Sequence, residues 1–276
     1  HTTMTTPPAL PKPAPSRWLP LLLAVAIFMP MLDTTILNTA LPQMALDLTE
    51  SPLNMQSAVI AYALTLSLLI PLSGYLADRF GTRSVFIASM GIFVLGPILC
   101  AAAPNLSMLL VARVIQGIGG SMLVPVPRLT LLRVYDKSQL LNAINYAVMP
   151  ALIGPVLGPL VGGYLVDYAS WHWIFLINLP MGLLGVLISF KAMPNVTEQN
   201  VPRFDFWGFI LLVITMAGLS LGIENFASPH LTLWWSMGLI VLSLVAALWY
   251  AYHAHTHQNA LFRSKLFRNR IYAVGI

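Results

Sequence analysis

Eight long apolar segments dominate this sequence, and only 8% of its 276 residues are charged, whereas 58% are hydrophobic. Soluble domains carry charge on about a quarter of their residues, so no soluble fold of this length could bury so much apolar surface. A helix that crosses a hydrocarbon core needs about 20 residues. We therefore predict an all-α polytopic membrane protein with spans near 18–41, 55–77, 84–103, 106–132, 139–166, 173–190, 206–222 and 233–252.

The distribution of Lys and Arg predicts how these spans are oriented. Of the 14 basic residues, 12 precede the first span or lie in every second gap between spans, and the other gaps contain none. Cytoplasmic loops are enriched in Lys and Arg, so we expect a cytoplasmic N-terminus and a chain embedded in the cell's inner (plasma) membrane. These short loops account for the formal net charge of +5, and no nucleic-acid partner is expected.

A five-residue motif, Gly-Tyr-Leu-x-Asp, occurs at 74–78 and again at 163–167, an offset of 89 residues. Each repeat unit holds three spans, an odd number, so the second unit must cross the membrane in the opposite sense. Inverted repeats of this kind are typical of transporters. We predict a six-span bundle at 17–191, built from two inverted three-helix repeats at about 17–103 and 106–191.

The remaining segments are expected to flank or extend this bundle. Residues 1–16 are rich in Thr and Pro and are expected to form a disordered cytoplasmic leader. A cytoplasmic loop at 192–203 is expected to lead into two further spans within 204–253. We expect another cytoplasmic loop within 254–276 and the start of a ninth span at Ile271; the sequence stops five residues later, as a fragment would.

Asp33 and Arg113 are ionisable residues inside predicted spans, at similar depth. A carboxylate there costs about 2.5–3.5 kcal/mol on insertion scales, and such residues usually mark proton relays or substrate paths. Arg113 shares one helical face with Gln116, Gly117 and Gly120. Two interpretations stay open: Asp33 binds and releases a proton during a transport cycle, or the two charges only lock spans 1 and 4 together.

Two glycine-containing motifs accompany these charges. Gly74, Asp78, Arg79, Gly81 and Arg83 form a charged turn between spans 2 and 3. We expect Asp78 to hold both arginines in a charge network that could latch the inner mouth, although any short cytoplasmic loop would be basic.

The second motif lies in span 5, where Gly154, Gly158 and Gly162 recur at a spacing of four, followed by Gly163. Small residues on one face allow helices to pack closely, and Pro155 and Pro159 should bend the helix. Packing is expected; whether the face also acts as a hinge stays open.

Several weaker sequence signals were also considered as possible functional sites. Arg128 is expected to extend to the headgroups, and Pro125 and Pro127 should bend span 4. His253, His255 and His257 alternate, but a metal site is not favoured without a nearby carboxylate or cysteine. No phosphate-binding loop and no catalytic set is present in the sequence, so we expect neither an enzyme nor a cofactor.

Together these motifs resemble the major facilitator superfamily, and within it the fourteen-span drug:proton antiporter branch. The similar segments are the loop between spans 2 and 3 (74–83), span 1 (32–42), span 4 (113–120), span 5 (154–163) and the entry to span 6 (171–180). Thr82 departs from this pattern, because the family usually has a basic residue there.

The resemblance implies that Asp33 is a proton or cation site and Arg113 a coupling residue, with Asn38 and Gln116 as further proton-coupling or substrate residues. It also implies a small-molecule substrate, protons, the lipid bilayer and a second bundle of the same protein as partners. Spans 7 and 8 would then be the extra pair between the two bundles.

Three functions remain open on the sequence. The first is proton-coupled efflux of small amphipathic compounds or drugs. The second is export of a small anionic metabolite or metal chelate, because Arg113 and Arg128 outnumber Asp33. The third is a membrane scaffold or regulator that does not transport.

Overall fold

A computed structural model of the chain describes residues 15–197, 201, 203–227 and 232–256. Within these residues all regular structure is helical. Eight helical segments within the described residues are long and apolar enough to cross a membrane. The predicted all-α fold with eight spans is therefore confirmed.

The first three spans are single helices, and spans 4 and 6 are each divided in two. Spans 1 to 3 are α1 (Leu19–Asp47), α2 (Pro52–Phe80) and α3 (Thr82–Ala102). Span 4 comprises α4 (Leu106–Leu123) and α5 (Pro125–Val134), span 5 is α6 (Lys137–Tyr168), and span 6 comprises α7 (His172–Leu176) and α8 (Asn178–Ala192). Spans 7 and 8 are α9 (Phe206–Ala227) and α10 (Leu233–Thr256).

Local sequence signals set several of these helix ends. The Ser51 side chain accepts a hydrogen bond from the backbone N–H of Asn54 at 3.1 Å, and the Asn105 side chain accepts one from Met108 at 2.9 Å. Both are N-caps, which satisfy a backbone donor that has no partner within the helix. These caps begin α2 and α4.

The divisions of spans 4 and 6 both fall shortly before prolines. The break between α4 and α5 falls at Val124, directly before Pro125. Span 6 divides at Ile177, three residues before Pro180, which has no N–H to donate to the carbonyl oxygen of Leu176. In contrast, α6 remains one assigned helix of 32 residues although it contains three prolines.

The spans pack in a pattern with internal symmetry. Span 1 packs along span 5, and span 2 packs along span 4. Exchanging spans 1 and 4, and spans 2 and 5, converts the first contact into the second. Two inverted three-span repeats would produce this pairing, and the inverted orientation itself stays a prediction. Spans 7 and 8 form a hairpin that meets the bundle at α2.

Two apolar clusters fill the bundle and leave a polar layer between them. The first cluster takes residues between Leu19 and Met29 of α1, and the second takes residues between Ile36 and Ala45. Asp33 lies between the two sets. It is fourteen residues from each end of α1, at the centre of the helix.

Several predictions fall on residues that the structure does not describe. The predicted leader is described only for Pro15 and Ser16, and the ninth span lies wholly outside the described residues. His257 lies outside them as well. Of the alternating histidines, His253 is buried and its Nε2 lies 2.7 Å from Oδ1 of Asp205, so the expectation that no carboxylate lies near these histidines is wrong.

The inverted orientation predicts opposite labelling of two exposed positions, in a variant whose buried Cys100 is replaced by Ser. Arg79→Cys and Ala169→Cys are separated by three spans, and both positions are exposed. We expect a membrane-impermeant maleimide to label Arg79→Cys only from the cytoplasmic side and Ala169→Cys only from the outside. Labelling of both from one side would contradict the inverted repeat.

Candidate functional site

Asp33 of α1 meets Arg113 and Gln116 of α4 in a closed ring of hydrogen bonds. Arg113 Nη1 donates to Asp33 Oδ2 and to Gln116 Oε1, each at 2.8 Å. Gln116 Nε2 donates to Asp33 Oδ1, also at 2.8 Å. All three residues are at most 1% exposed. The structure thus brings together three of the four residues predicted for proton coupling or substrate.

Two residues of α2 complete the surroundings of Arg113. Arg113 Nε donates to the carbonyl oxygen of Ala58 at 3.2 Å. The guanidinium carbon lies 4.3 Å from the ring centre of Tyr62, a cation–π contact. The cation is therefore held by three helices and keeps partners on α2 that do not depend on Asp33.

Glycines on α4 allow this close approach. A Cβ atom added at Gly117 would lie 2.8 Å from Cβ of Thr65 on α2, and one added at Gly119 would lie 2.5 Å from the backbone N of Phe93 on α3. Real Cβ atoms do not come so close, so larger residues would push α4 away. The glycines that follow Arg113 therefore place its side chain within reach of α2.

The glycine face of α6 packs against α1 on both sides of Asp33. Gly154, Gly158 and Gly162 are buried there. Gly158 faces the side chain of Thr35, and the Thr35 hydroxyl donates to the carbonyl oxygen of Gly154 at 3.3 Å. Close packing of this kind is the role that the spacing of four predicted.

The other members of the α6 motif do not take part in this contact. Pro155 and Pro159 are exposed, and a Cβ atom at Gly163 would meet nothing within 4 Å. The packing role thus belongs to the three glycines at the spacing of four.

The side chains of the charged turn between α2 and α3 have other partners than predicted. Asp78 pairs with Arg133 of α5, with 2.6 Å between Oδ1 and Nη2, and not with Arg79 or Arg83. The last turn of α2 lies beside α5, which gives Asp78 a partner in span 4. Arg83 Nε instead donates to the carbonyl oxygen of Met193 at 2.6 Å, and Arg79 is exposed, with its guanidinium near the Phe80 ring.

Gly81 and Thr82 fix the turn against the segment that follows α8. Gly81 has φ +92°, and a side chain there would collide with Asn195, so glycine is required both by conformation and by space. Thr82 is fully buried; its hydroxyl donates to the Pro194 carbonyl at 2.5 Å and accepts from the Val196 N–H at 3.1 Å. The family usually has a basic residue at this position. Here Thr82 links the start of span 3 to the segment that follows span 6 by hydrogen bonds.

Asn38 does not take part in the ring around Asp33, and Gly74 takes no part in the contacts of the charged turn. Asn38 is exposed on α1, and its amide donates to the Thr34 carbonyl at 3.3 Å. Five residues separate it from Asp33, which places the two side chains on different faces of the helix. A Cβ atom at Gly74 would meet nothing within 4 Å.

Three further residues take part in these contacts although the sequence did not single them out. Ala58 and Tyr62 contact Arg113, and Arg133 pairs with Asp78. A carbonyl group and an aromatic ring inside an apolar span carry no signal that separates them from lipid-facing residues. Arg133 was counted only as a cytoplasmic charge. Asp78 is an acidic residue that needs a cationic partner, and a comparison of all basic residues at the same end of the bundle could have identified Arg133.

Removal of one charge from the buried pair should destabilise the chain more than removal of both. Asp33→Asn and Arg113→Gln each leave an uncompensated charge, a cost of about 3–5 kcal/mol. The double variant should lose less than the sum of the single losses, measured by thermal unfolding in detergent. The partly exposed pair of Asp78 and Arg133 serves as the comparison, with an expected coupling below about 1 kcal/mol. Losses at Asp33 and Arg113 that add to within about 0.5 kcal/mol would contradict a direct interaction.

The two kinds of glycine on α6 provide a second test with a matched control. Gly158→Ala should lower stability by about 1–3 kcal/mol, because the added methyl group meets Thr35. Gly163→Ala adds the same methyl group where no atom lies within 4 Å, and it should be neutral or slightly stabilising. Equal melting temperatures for both variants would exclude close α1–α6 packing at Gly158.

Comparison with known proteins extends the motif analysis. Residues 23–263 match the Major Facilitator Superfamily. Two relatives carry the name "Putative multidrug resistance protein MdtD": the protein of Pectobacterium atrosepticum is 46% identical over 265 residues, and that of Klebsiella pneumoniae is 46% identical over 264. The alignments cover 96% of this chain but 57% and 56% of those proteins, so the chain spans about half the length of the curated relatives it matches.

Solved structures share the fold at low sequence identity. The peptide transporter POT in complex with sulfate superposes with a TM-score of 0.62 at 17% identity, covering 86% of this chain and 53% of that one. The POT family transporter PepTSo gives 0.61 at 14% identity, covering 89% and 55%. At these identities the likeness concerns the fold alone. Together with the sequence matches, it confirms the resemblance inferred from the motifs: this chain is a multi-pass membrane protein that belongs to the Major Facilitator Superfamily.

Proposed function

We propose that this chain forms part of a proton-coupled exporter of small amphipathic compounds. The observation that carries the proposal is the buried ring of Asp33, Arg113 and Gln116 at the centre of the bundle. Ionisable groups inside membrane spans are rare and mark proton relays or ion paths. The name shared by the relatives, a multidrug resistance protein, favours a drug-like substrate.

Protonation of Asp33 would change the contact between α1 and α4. The ionised carboxylate accepts hydrogen bonds from both Arg113 and Gln116, and proton uptake removes its charge and one accepting site. Arg113 would then lose its counter-ion, a change of several kcal/mol in a buried pair. Its bonds to Ala58 and Tyr62 on α2 remain. Proton binding thus weakens the link from α4 to α1 while the cation stays in place.

The substrate-facing surface is proposed to lie on α1, the helix that carries Asp33. Met31, Thr34, Asn38 and Pro42 are exposed, and their spacing places them along one side of the helix. This side mixes a thioether, a hydroxyl and an amide, a combination suited to small amphipathic molecules. Because Asp33 and this side belong to the same helix, a change in the contacts of Asp33 alters the position of the substrate surface.

The anionic alternative was based on two arginines that the structure places in different surroundings. It rested on an excess of positive charge from Arg113 and Arg128 over Asp33. In the structure Arg113 is paired in the ring, whereas Arg128 is exposed on α5. The two arginines therefore do not form one anion site, and the excess positive charge lies on Arg128 alone.

The proposal predicts a separable effect of Asp33→Asn. In proteoliposomes that hold the full-length protein, this variant should lose substrate-stimulated proton flux even when the amount of folded protein is matched to wild type, because Asn cannot bind and release the proton. Asp167→Asn removes an exposed carboxylate and should retain proton flux near the wild-type level. A pH-sensitive dye inside the vesicles reports the flux.

Two results would count against proton coupling at Asp33. One is unchanged pH-dependent flux in Asp33→Asn at wild-type protein density. The other is an equal loss in Asp33→Asn and Asp167→Asn, since that would assign the effect to charge in general.

A further inference from the structure

A cleft of about 590 Å³ lies at one end of the bundle, apart from the ring around Asp33. It is bordered by the beginnings of spans 1 and 3 and by the ends of spans 4 and 6. Because the spans alternate in direction, all four of these ends lie on the same side of the membrane as residue 15. The positive-inside pattern predicts that this side is the cytoplasm.

Three basic side chains line this cleft: Arg83, Arg133 and Lys191. Asp78 is the carboxylate partner of Arg133, at 2.6 Å. Among the described residues no carboxylate pairs with Arg83 or Lys191; Arg83 Nε donates to a neutral carbonyl, that of Met193. The cleft therefore concentrates positive charge that the described protein groups only partly balance.

The walls between these charges are mostly apolar. Pro15, Val134 and Pro194 line the cleft and are partly exposed, and Ser16 adds a hydroxyl group. A site for a free phosphate ion would need polar groups on every side, because desolvating an anion against apolar walls is costly. A phospholipid, in contrast, places a phosphate beside apolar glycerol and acyl carbons, which matches cations set among the partly exposed Pro15, Val134 and Pro194.

We infer that this cleft binds the headgroup of an anionic phospholipid of the leaflet on the side of residue 15. Basic pockets between spans on the cytoplasmic side are suited to cardiolipin and similar headgroups. Arg83 and Lys191, which pair with no carboxylate among the described residues, would contact the phosphate oxygens. Bound there, the lipid would bridge the beginning of span 3 and the end of span 6.

The test measures lipid retention by the purified full chain in detergent, by native mass spectrometry during titration with cardiolipin. Lys191→Gln should weaken cardiolipin binding roughly fivefold, the equivalent of about 1 kcal/mol for one basic residue near the membrane surface. Arg83→Gln should weaken it to a similar extent. Lys137→Gln removes an exposed charge at the same end of the bundle but outside the cleft, and it should bind as wild type does.

Two parallel experiments test whether the ligand is an anionic lipid rather than a neutral lipid or a soluble anion. Phosphatidylcholine, a zwitterionic lipid, should be retained at least tenfold less than cardiolipin, and millimolar inorganic phosphate should not displace the lipid. Lys191 is exposed, so Lys191→Gln should keep the wild-type melting temperature in lipid-free detergent.

Three results would overturn the inference. Equal retention of cardiolipin and phosphatidylcholine would show that charge does not select the lipid. An equal loss in Lys137→Gln and Lys191→Gln would assign binding to the whole basic surface. Displacement by inorganic phosphate would make the cleft a site for soluble anions. None of these readouts depends on transport, so the inference and the proposed function stand or fall separately.

Discussion

An ion pair inside a membrane has no water to replace a missing partner, so the helices that carry Asp33 and Arg113 must stay within hydrogen-bond distance of each other. Burial of two charges is costly, and the attraction between them offsets that cost only with good geometry and further hydrogen bonds. Gln116 supplies the second bond to the carboxylate, and Ala58 supplies a bond to the guanidinium. The relative positions of α1, α2 and α4 follow from this requirement.

Small residues make that arrangement sterically possible. Lipid tails are as apolar as the helix surfaces, so helices in a bilayer associate through close packing rather than through exclusion of water. Gly117 and Gly119 bring α4 against α2 and α3, and Gly158 brings α6 against α1. The glycines and the charges thus act together, because the short hydrogen bonds of the ring require backbones that lie close.

The spans, the buried pair and the α6 contact could be predicted from the sequence because each leaves a strong local pattern. Apolar length indicates a span, a charge inside a span demands a partner, and glycine at a spacing of four indicates a packed face. The partner of Asp78 could not be predicted in this way. Its choice between Arg83, five residues away, and Arg133, on another span, depends on where α5 lies, which is a tertiary property.

The same limit applies to Tyr62 and to Thr82. Tyr62 contacts Arg113 through its ring face, and nothing in its own span distinguishes it from a lipid-facing aromatic residue. Thr82 stands where the family usually has a basic residue, and that departure did not indicate what Thr82 contacts. The structure gives Thr82 a different role, because its hydroxyl joins the start of α3 to the segment after α8.

The break at Val124 divides span 4 into two parts with different electrostatic attachments. Arg113, in α4, is tied to Asp33, while Arg133, in α5, is tied to Asp78 near the membrane surface. Pro125 and Pro127 follow the break and have no N–H to donate, so bending there sacrifices fewer backbone hydrogen bonds than bending elsewhere in the span. One transmembrane segment therefore carries two ionic anchors joined by a compliant point, and its two ends can tilt independently without either anchor being released.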